Sequence, residues 1–188
     1  MTNRTFHDSE ELVWIQSIKT PIGPLLAGVN EKGICLLEFD QTNRTRRTVQ
    51  KITKVLQAEI HNASHPLHGR LQDQLEAYFN RQRTTFDLPL VMVGTDFQKK
   101  VWTMLRDIPY GQTRTYAGMA REYGNIKTIR AMAQANAKNH LAILVPCHRV
   151  IGAGGSLTGY GGGIERKRFL LNLEQNDAGT LFSHNQMA

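Results

Sequence analysis

Five consecutive apolar residues, Leu141 to Val145, run into Pro146, and behind them stand Cys147, His148 and Arg149. A run this continuous suits a strand buried on both faces. Pro146 holds Val145 extended and removes a ladder donor, so the strand is predicted to end at Cys147. Neighbours on a strand face opposite ways, and a contact between this thiol and this imidazole therefore needs a turn or a bridging water. From Gly152 to Gly163 the sequence is GAGGSLTGYGGG, seven glycines in twelve residues, which reads as a loop that lets backbone groups approach a ligand closely. The chain thus sets a thiol at the seam between its interior and an open loop.

A thiol of ordinary pKa, near ~8.5, is only a few per cent thiolate at neutral pH, so a nucleophilic Cys147 requires a base or a positive field. His148 is the available base. In the helix expected over 164–175 (IERKRFLLNLEQ), Glu174 follows Leu170 and Leu171 by four and three positions, beside the apolar face. A carboxylate there needs a partner, and His148 can be that partner. The plainer readings are an inert buried cysteine and a carboxylate at an exposed helix end. The glycine loop is neither a phosphate-cradling P-loop, since no Gly-Lys-Ser/Thr follows, nor a dinucleotide fingerprint, which would require glycine where Leu157 stands. It reads as a pocket wall in which Tyr160 covers the face of a flat ligand. His61, His65 and His68 are interrupted by Pro66, and Cys35 has no partnered motif, so neither a metal nor another cofactor is expected. Cys35 and Cys147 are expected as thiols.

The charge is uneven along the chain. Met1 to Val93 carries 11 Lys+Arg against 10 Asp+Glu, whereas Gly94 to Ala188 carries 12 against 6, placing six of the seven net positive charges in the second half. A basic surface of this kind suits a polyanion, or is simply a solvated face. The chain lacks an apolar run long enough to span a membrane and a signal-peptide pattern at its start, and the expected location is the cytoplasm, with the nucleoid.

Residues 11–39 alternate short apolar runs with turn sequences, as a meander does. A polar, basic stretch follows at 40–54, then a helix over Leu67 to Arg81 and a closing strand over Phe86 to Val93. In the second half, Thr95-Asp96-Phe97-Gln98 fits a capping box, and Phe97, Val101, Met104, Leu105 and Ile108 line one face of a helix. Thr115 caps a short helix with Tyr116, Met119, Ala120 and Tyr123 on its buried side, Gly124-Asn125 breaks it, and a helix over 126–138 follows. Ile129, Met132, Ala133 and Ala137 are expected inward; Arg130, Gln134 and Lys138 outward, interleaved with Ala131 and Ala135. Two helices joined at a glycine turn, the second with a small and basic outer face, read as a helix-turn-helix that enters a DNA groove. The small alanines let the backbone approach the duplex and leave Arg130 as the side chain that penetrates it. The expected fold is α+β: a small unit over 1–92, a mainly helical unit with the helix-turn-helix over 93–178, and a frayed tail over 179–188.

IPYGQTRTYAGMA, the helix bearing Arg130, Asn139, VPCHRVIG, LTGYGGG and KRFLLNLE together closely resemble the O6-alkylguanine-DNA alkyltransferases, or methylated-DNA–protein-cysteine methyltransferases. The resemblance is continuous from Gly94 to Glu174 and looser over 11–92, where it implies an RNase H-like domain. It implies repair of O6-alkylguanine, and of O4-alkylthymine, in double-stranded DNA bound through the minor groove by a monomer without cofactor. The lesion base is rotated out, Arg130 takes its place, and Cys147 accepts the alkyl group irreversibly. His148, polarised by Glu174, takes the thiol proton through a water. Tyr116 donates to N3 of the leaving base, Lys167 steadies that tyrosine, and Asn139 holds the active-site turn. The carbonyls of Cys147 and Val150 accept from the base amino group, with Tyr160 and Gly161 facing the ring. Two positions depart from the family pattern: Asn136 stands where Met or Cys often packs on the base, and His140 replaces a frequent proline. With no cysteine-rich zinc segment, phosphotriester sensing is not expected.

Two other classes compete, and a cysteine hydrolase, which would turn over an ester and need no DNA, is a distant third. Non-enzymatic lesion binders of this fold typically carry tryptophan at the cysteine position. A plain helix-turn-helix regulator would account for Arg130 and the basic surface while leaving Cys147, His148 and Glu174 without a purpose.

Overall fold

The computed structural model of the chain describes residues 11–40 and 42–175, and the tail expected over 179–188 lies outside them. The meander is present: β1 (Glu11–Ile18), β2 (Leu25–Asn30) and β3 (Gly33–Phe39) are antiparallel neighbours. The polar stretch that follows is a helix, α1 (Thr42–Leu56). Its apolar residues Val49, Ile52 and Leu56 recur at spacings of three and four, enough to seat a mostly charged helix on a sheet. This helix carries the chain across to β4 (Ala58–His61), which pairs parallel to β1 and makes the sheet order β3-β2-β1-β4. Then α2 (Pro66–Phe79) starts from a cap in which His65 accepts from Leu67 N and His68 accepts from His65 N.

Both faces of the sheet are covered. Val13, Cys35 and Leu36 pack with Ile52 of α1 and Val93 on one side. On the other, Ala27, Val29, Leu37 and Phe39 join Leu71, Leu75 and Tyr78 of α2 in a core that continues without a break into Val101, Leu105, Met132 and Leu170 of the second half. The expected strand over Phe86–Val93 is absent. Pro89 offers no N–H, and the segment makes only single rungs, with Pro89 O accepting from Ile34 N and Val91 N donating to Ile34 O.

The second half holds α3 (Asp96–Arg106), β5 (Arg114–Thr115), α4 (Tyr116–Glu122), a 3₁₀ turn (Ile126–Thr128), α5 (Ile129–Ala137), a 3₁₀ turn (Cys147–Arg149), β6 (Val150–Ile151), a third 3₁₀ turn (Ala153–Gly155) and α6 (Ile164–Glu174). Thr95 and Gln98 form the capping box read from the sequence, and the Thr115 hydroxyl accepts from Gly118 N. Gly124, at φ 90°, reverses the chain between α4 and α5.

The buried strand expected over Leu141–Val145 does not form. Leu141 makes one parallel bridge to Leu37, fixed by Leu37 N to His140 O and Ala142 N to Leu37 O. The chain then doubles back through a γ-turn centred on Ile143, whose φ is 70°, with Leu144 N bonded to Ala142 O. A second tight turn at Pro146 brings Cys147 N to Val145 O. All five apolar residues are buried, but as a knot of turns tied internally by Leu144 N to Ala142 O and Val145 N to Leu141 O. Among the described residues no helix is long and apolar enough to cross a membrane.

Candidate active site

The site grows from a carboxylate. Glu174, at the end of α6, is 2 % exposed, and its two oxygens accept five hydrogen bonds. Oε1 takes Tyr78 Oη at 2.7 Å, His148 Nε2 at 2.7 Å and Arg149 Nη2 at 3.0 Å. Oε2 takes Arg149 Nε at 2.8 Å and Gly111 N at 3.3 Å. Burial alone would raise this carboxyl, but the hydrogen bonds from His148 and Arg149 and the Arg149 charge outweigh it and hold its pKa at about 2. Gly111 sits at φ 74°, and a Cβ there would meet Glu174 O at 2.9 Å, so only glycine serves.

An ionised Glu174 assigns the imidazole tautomer, because Nε2 must then donate. His148 is wholly buried, and burial lowers its pKa against the pull of Glu174. The cation of the pair is therefore Arg149, and His148 is a neutral base. Its lone pair lies on Nδ1, which is buried and makes no hydrogen bond to any described residue.

Cys147 and His148 share a 3₁₀ turn, so the turn that a nearby thiol and imidazole require is present. The turn is fastened from both ends. Asn139 donates through Nδ2 to Val145 O at 2.8 Å and accepts from Leu141 N at 3.0 Å, as expected of a residue holding this loop. Burial pushes the Cys147 thiol up, opposed by Asn139 and by the charges of Lys167 and Arg44. Lys167 is fully buried, and its Nζ donates to Val150 O at 2.6 Å and Thr158 O at 2.9 Å. It thus clamps β6 to the glycine loop rather than steadying Tyr116. That tyrosine is held by Asn136, whose Nδ2 donates to Tyr116 Oη at 2.9 Å and to Cys147 O at 3.3 Å. Because Asn136 is the donor, the phenol keeps its own proton free.

Cys147, Asn136, Asn139, Tyr160 and Gly161 line one small cavity with Phe39 and Arg44 from the amino-terminal half. The cavity measures about 20 Å³, room for roughly one water. Of the two carbonyls expected to receive a ligand amino group, Cys147 O already accepts from Asn136 Nδ2 and from Val150 N, and Val150 O accepts from Lys167 Nζ.

On α5, Arg130, Ala131, Gln134 and Lys138 are exposed, as expected of an outer face. Ala135 is not: it is buried, and its carbonyl accepts from Trp102 Nε1 at 2.9 Å, whereas Ala137, expected inward, is exposed. The helix buries Met132, Ala135 and Asn136, a stripe rotated from the one the alanine spacing suggested. His140 buttresses the fold, its Nε2 accepting from Val93 N at 3.2 Å and its ring meeting Trp102 edge to face.

Four contributors escaped the sequence reading. Tyr78 reads as a core position of α2, and Gly111 as a turn. Arg149 adjoins the Cys-His pair, and its burial was the missing clue. Nothing local marks Arg44, whose Nη2 reaches across to Ala137 O at 2.9 Å and lies where a Cβ on Gly161 would stand.

Two family models match the chain: the ribonuclease-like domain of 6-O-methylguanine DNA methyltransferase over residues 13–92, and the DNA binding domain of the same proteins over 96–176. A methylated-DNA–protein-cysteine methyltransferase of Methanosarcina barkeri is 44% identical over 160 residues, covering 85% of this chain and 96% of its own. One of Mycobacterium tuberculosis is 45% identical over 169 residues, covering 89% and 95%. Among solved structures, the M. tuberculosis O6-methylguanine methyltransferase superimposes with a TM-score of 0.75 at 42% identity, covering 90% of this chain and 97% of that one. The M. tuberculosis protein in complex with DNA gives 0.73 at 43% identity, covering 87% and 93%. With both domain models matched in order and the Cys147-His148-Glu174 constellation assembled at their junction, this chain belongs to the methylated-DNA–protein-cysteine methyltransferase family.

Proposed function

We propose that this protein repairs O6-alkylguanine in double-stranded DNA, and O4-alkylthymine by the same chemistry, by taking the alkyl group irreversibly onto Cys147. The observation that carries this reading is His148: neutral, fixed by Glu174 through Nε2, holding a buried lone pair on Nδ1, and sharing one 3₁₀ turn with Cys147. The thiol proton passes to Nδ1 through a water, the sulfur attacks the alkyl carbon in line, and the carbon–O6 bond breaks with its electron pair going to the base. Tyr116 protonates the leaving base at N3 and regains a proton from solvent. The product is a thioether, which offers water no activated bond, so each molecule acts once. Asn139 and Asn136 position the turn and the tyrosine, and Lys167 the loop; Val150, Tyr160 and Gly161 frame the base.

An alkyl group inside a duplex is out of reach of a thiol, so the base must be extruded. In this reading α5 enters the minor groove and Arg130 fills the gap. The cavity is far smaller than a nucleobase, so entry requires Arg44 and Tyr160 to move aside. The protein is proposed to act as a monomer in the cytoplasm, with the nucleoid.

Intact and peptide masses after mixing with excess duplex bearing one O6-methylguanine test this. One added methyl per chain, on the peptide containing Cys147 and absent from Cys147→Ser, is the expected result. A wild-type protein that shifts the damaged duplex in a gel yet stays unmodified would make it a lesion-binding module instead.

A further inference from the structure

Arg47 and Lys51 stand one turn apart on α1 and face an open groove of about 590 Å³, whose opposite lip is Ala137 and Lys138 at the end of α5. Arg44, a turn earlier on the same face, is committed to Ala137 O at 2.9 Å and to Glu38 at 3.6 Å. Glu38 is the acid lining the groove, and it is buried in that pairing. Arg47, Lys51 and Lys138 are exposed, and their side chains make no hydrogen bond or ion pair with any described residue. Three like charges around one groove raise a local positive potential, and no described side chain pairs with them.

Lys138 closes the same helix that carries Arg130, so the groove continues the face assigned to DNA. The rise from Arg47 to Lys51 is roughly 6 Å along the helix, close to the roughly 7 Å that two phosphate steps occupy along one strand. Arg44 and Glu38 line both this groove and the Cys147 cavity, which places the groove directly beside the lesion pocket.

We propose that the groove between α1 and the end of α5 holds backbone phosphates of the DNA strand passing the lesion pocket, making the amino-terminal half part of the DNA-binding surface. This rests on the reading that the α5 face receives DNA. The fit is to DNA rather than to an acidic protein because the cations extend that face in line.

The test is the salt dependence of binding to undamaged duplex. Each phosphate neutralised contributes about 0.9 to the slope of log K against log salt. The Arg47→Gln/Lys51→Gln double variant is expected to be shallower than wild type by about 2. Arg46→Gln/Lys54→Gln removes the same charge from α1 outside the groove and is expected to leave the slope unchanged. Equal thermal midpoints for all three proteins exclude misfolding as the cause. An unaltered slope in the first variant, or an equal loss in both, overturns the proposal. If wild type takes a methyl on Cys147 in that event, only the groove assignment falls; if wild type neither binds duplex nor is methylated, the functional reading falls and the groove with it.

Discussion

At Glu174 two oxygens answer donors from α2, from the turn before β5 and from the Cys147 turn, so a single carboxylate ties three distant segments together. Glu174→Gln would leave the Arg149 guanidinium buried without its anion, and loss of one partner of a buried pair costs about 3–5 kcal/mol. The expected result is a drop of that size in urea unfolding, together with slower methylation because an amide, able to donate as well as accept, no longer forces the proton of His148 onto Nε2. Unchanged stability would show that Arg149 finds another partner. His140 makes a separate, pH-dependent contribution. Burial pushes its pKa down to about 4, below the 6.5 it has when exposed. The unfolded chain therefore binds the extra proton between these values: the stabilisation is complete above pH 6.5 and is lost as pH falls toward 4. It is worth at most about 3 kcal/mol. His148, also lowered, acts in the same sense, so the two are separated by His140→Gln, which keeps an acceptor for Val93 N. Its unfolding free energy should fall less steeply than wild type between pH 6.5 and 4; an identical slope would assign the whole effect elsewhere.

The decisive element is α5. Nine residues carry the exposed Arg130 near one end, Asn136 on the buried side, and Lys138 just past the other end. Arg130→Ala is expected to reduce methyl transfer from duplex DNA by tenfold or more, as loss of about 1.4 kcal/mol from the flipped state would. Transfer from the free alkylated base should be unaffected, since no stack has to be opened. An equal loss on both substrates would place Arg130 in the chemistry. The outer face of α5 was legible in its long charged residues. Which alanines face inward was not, because alanine is small enough for either side and only packing against Trp102 decides. The Leu141–Val145 run shows the same limit: hydrophobicity announced burial, yet the choice between strand and turns was made by the single rung Leu37 offers and by the reversal at Ile143.

At the scale of the whole molecule, the halves read as separate units share one core, and Tyr78, Arg44 and the Leu37–Leu141 bridge cross between them. Calorimetric unfolding is accordingly expected as one transition, with van't Hoff and calorimetric enthalpies equal; two resolved transitions would mean that the crossing contacts carry little energy. From the sequence alone came the meander, the capped helices and the candidate trio Cys147, His148 and Glu174, because local periodicity, caps, turn residues and adjacent side-chain chemistry act over a few positions. The tertiary structure alone decided which nitrogen of His148 is free, that Arg149 rather than His148 is the buried cation, that Lys167 clamps a loop, and that Arg44 reaches into the pocket from the other half. Those outcomes depend on groups far apart in the chain, as Tyr78 and Glu174 are at 96 positions, and on a shared low-dielectric interior that no local pattern encodes.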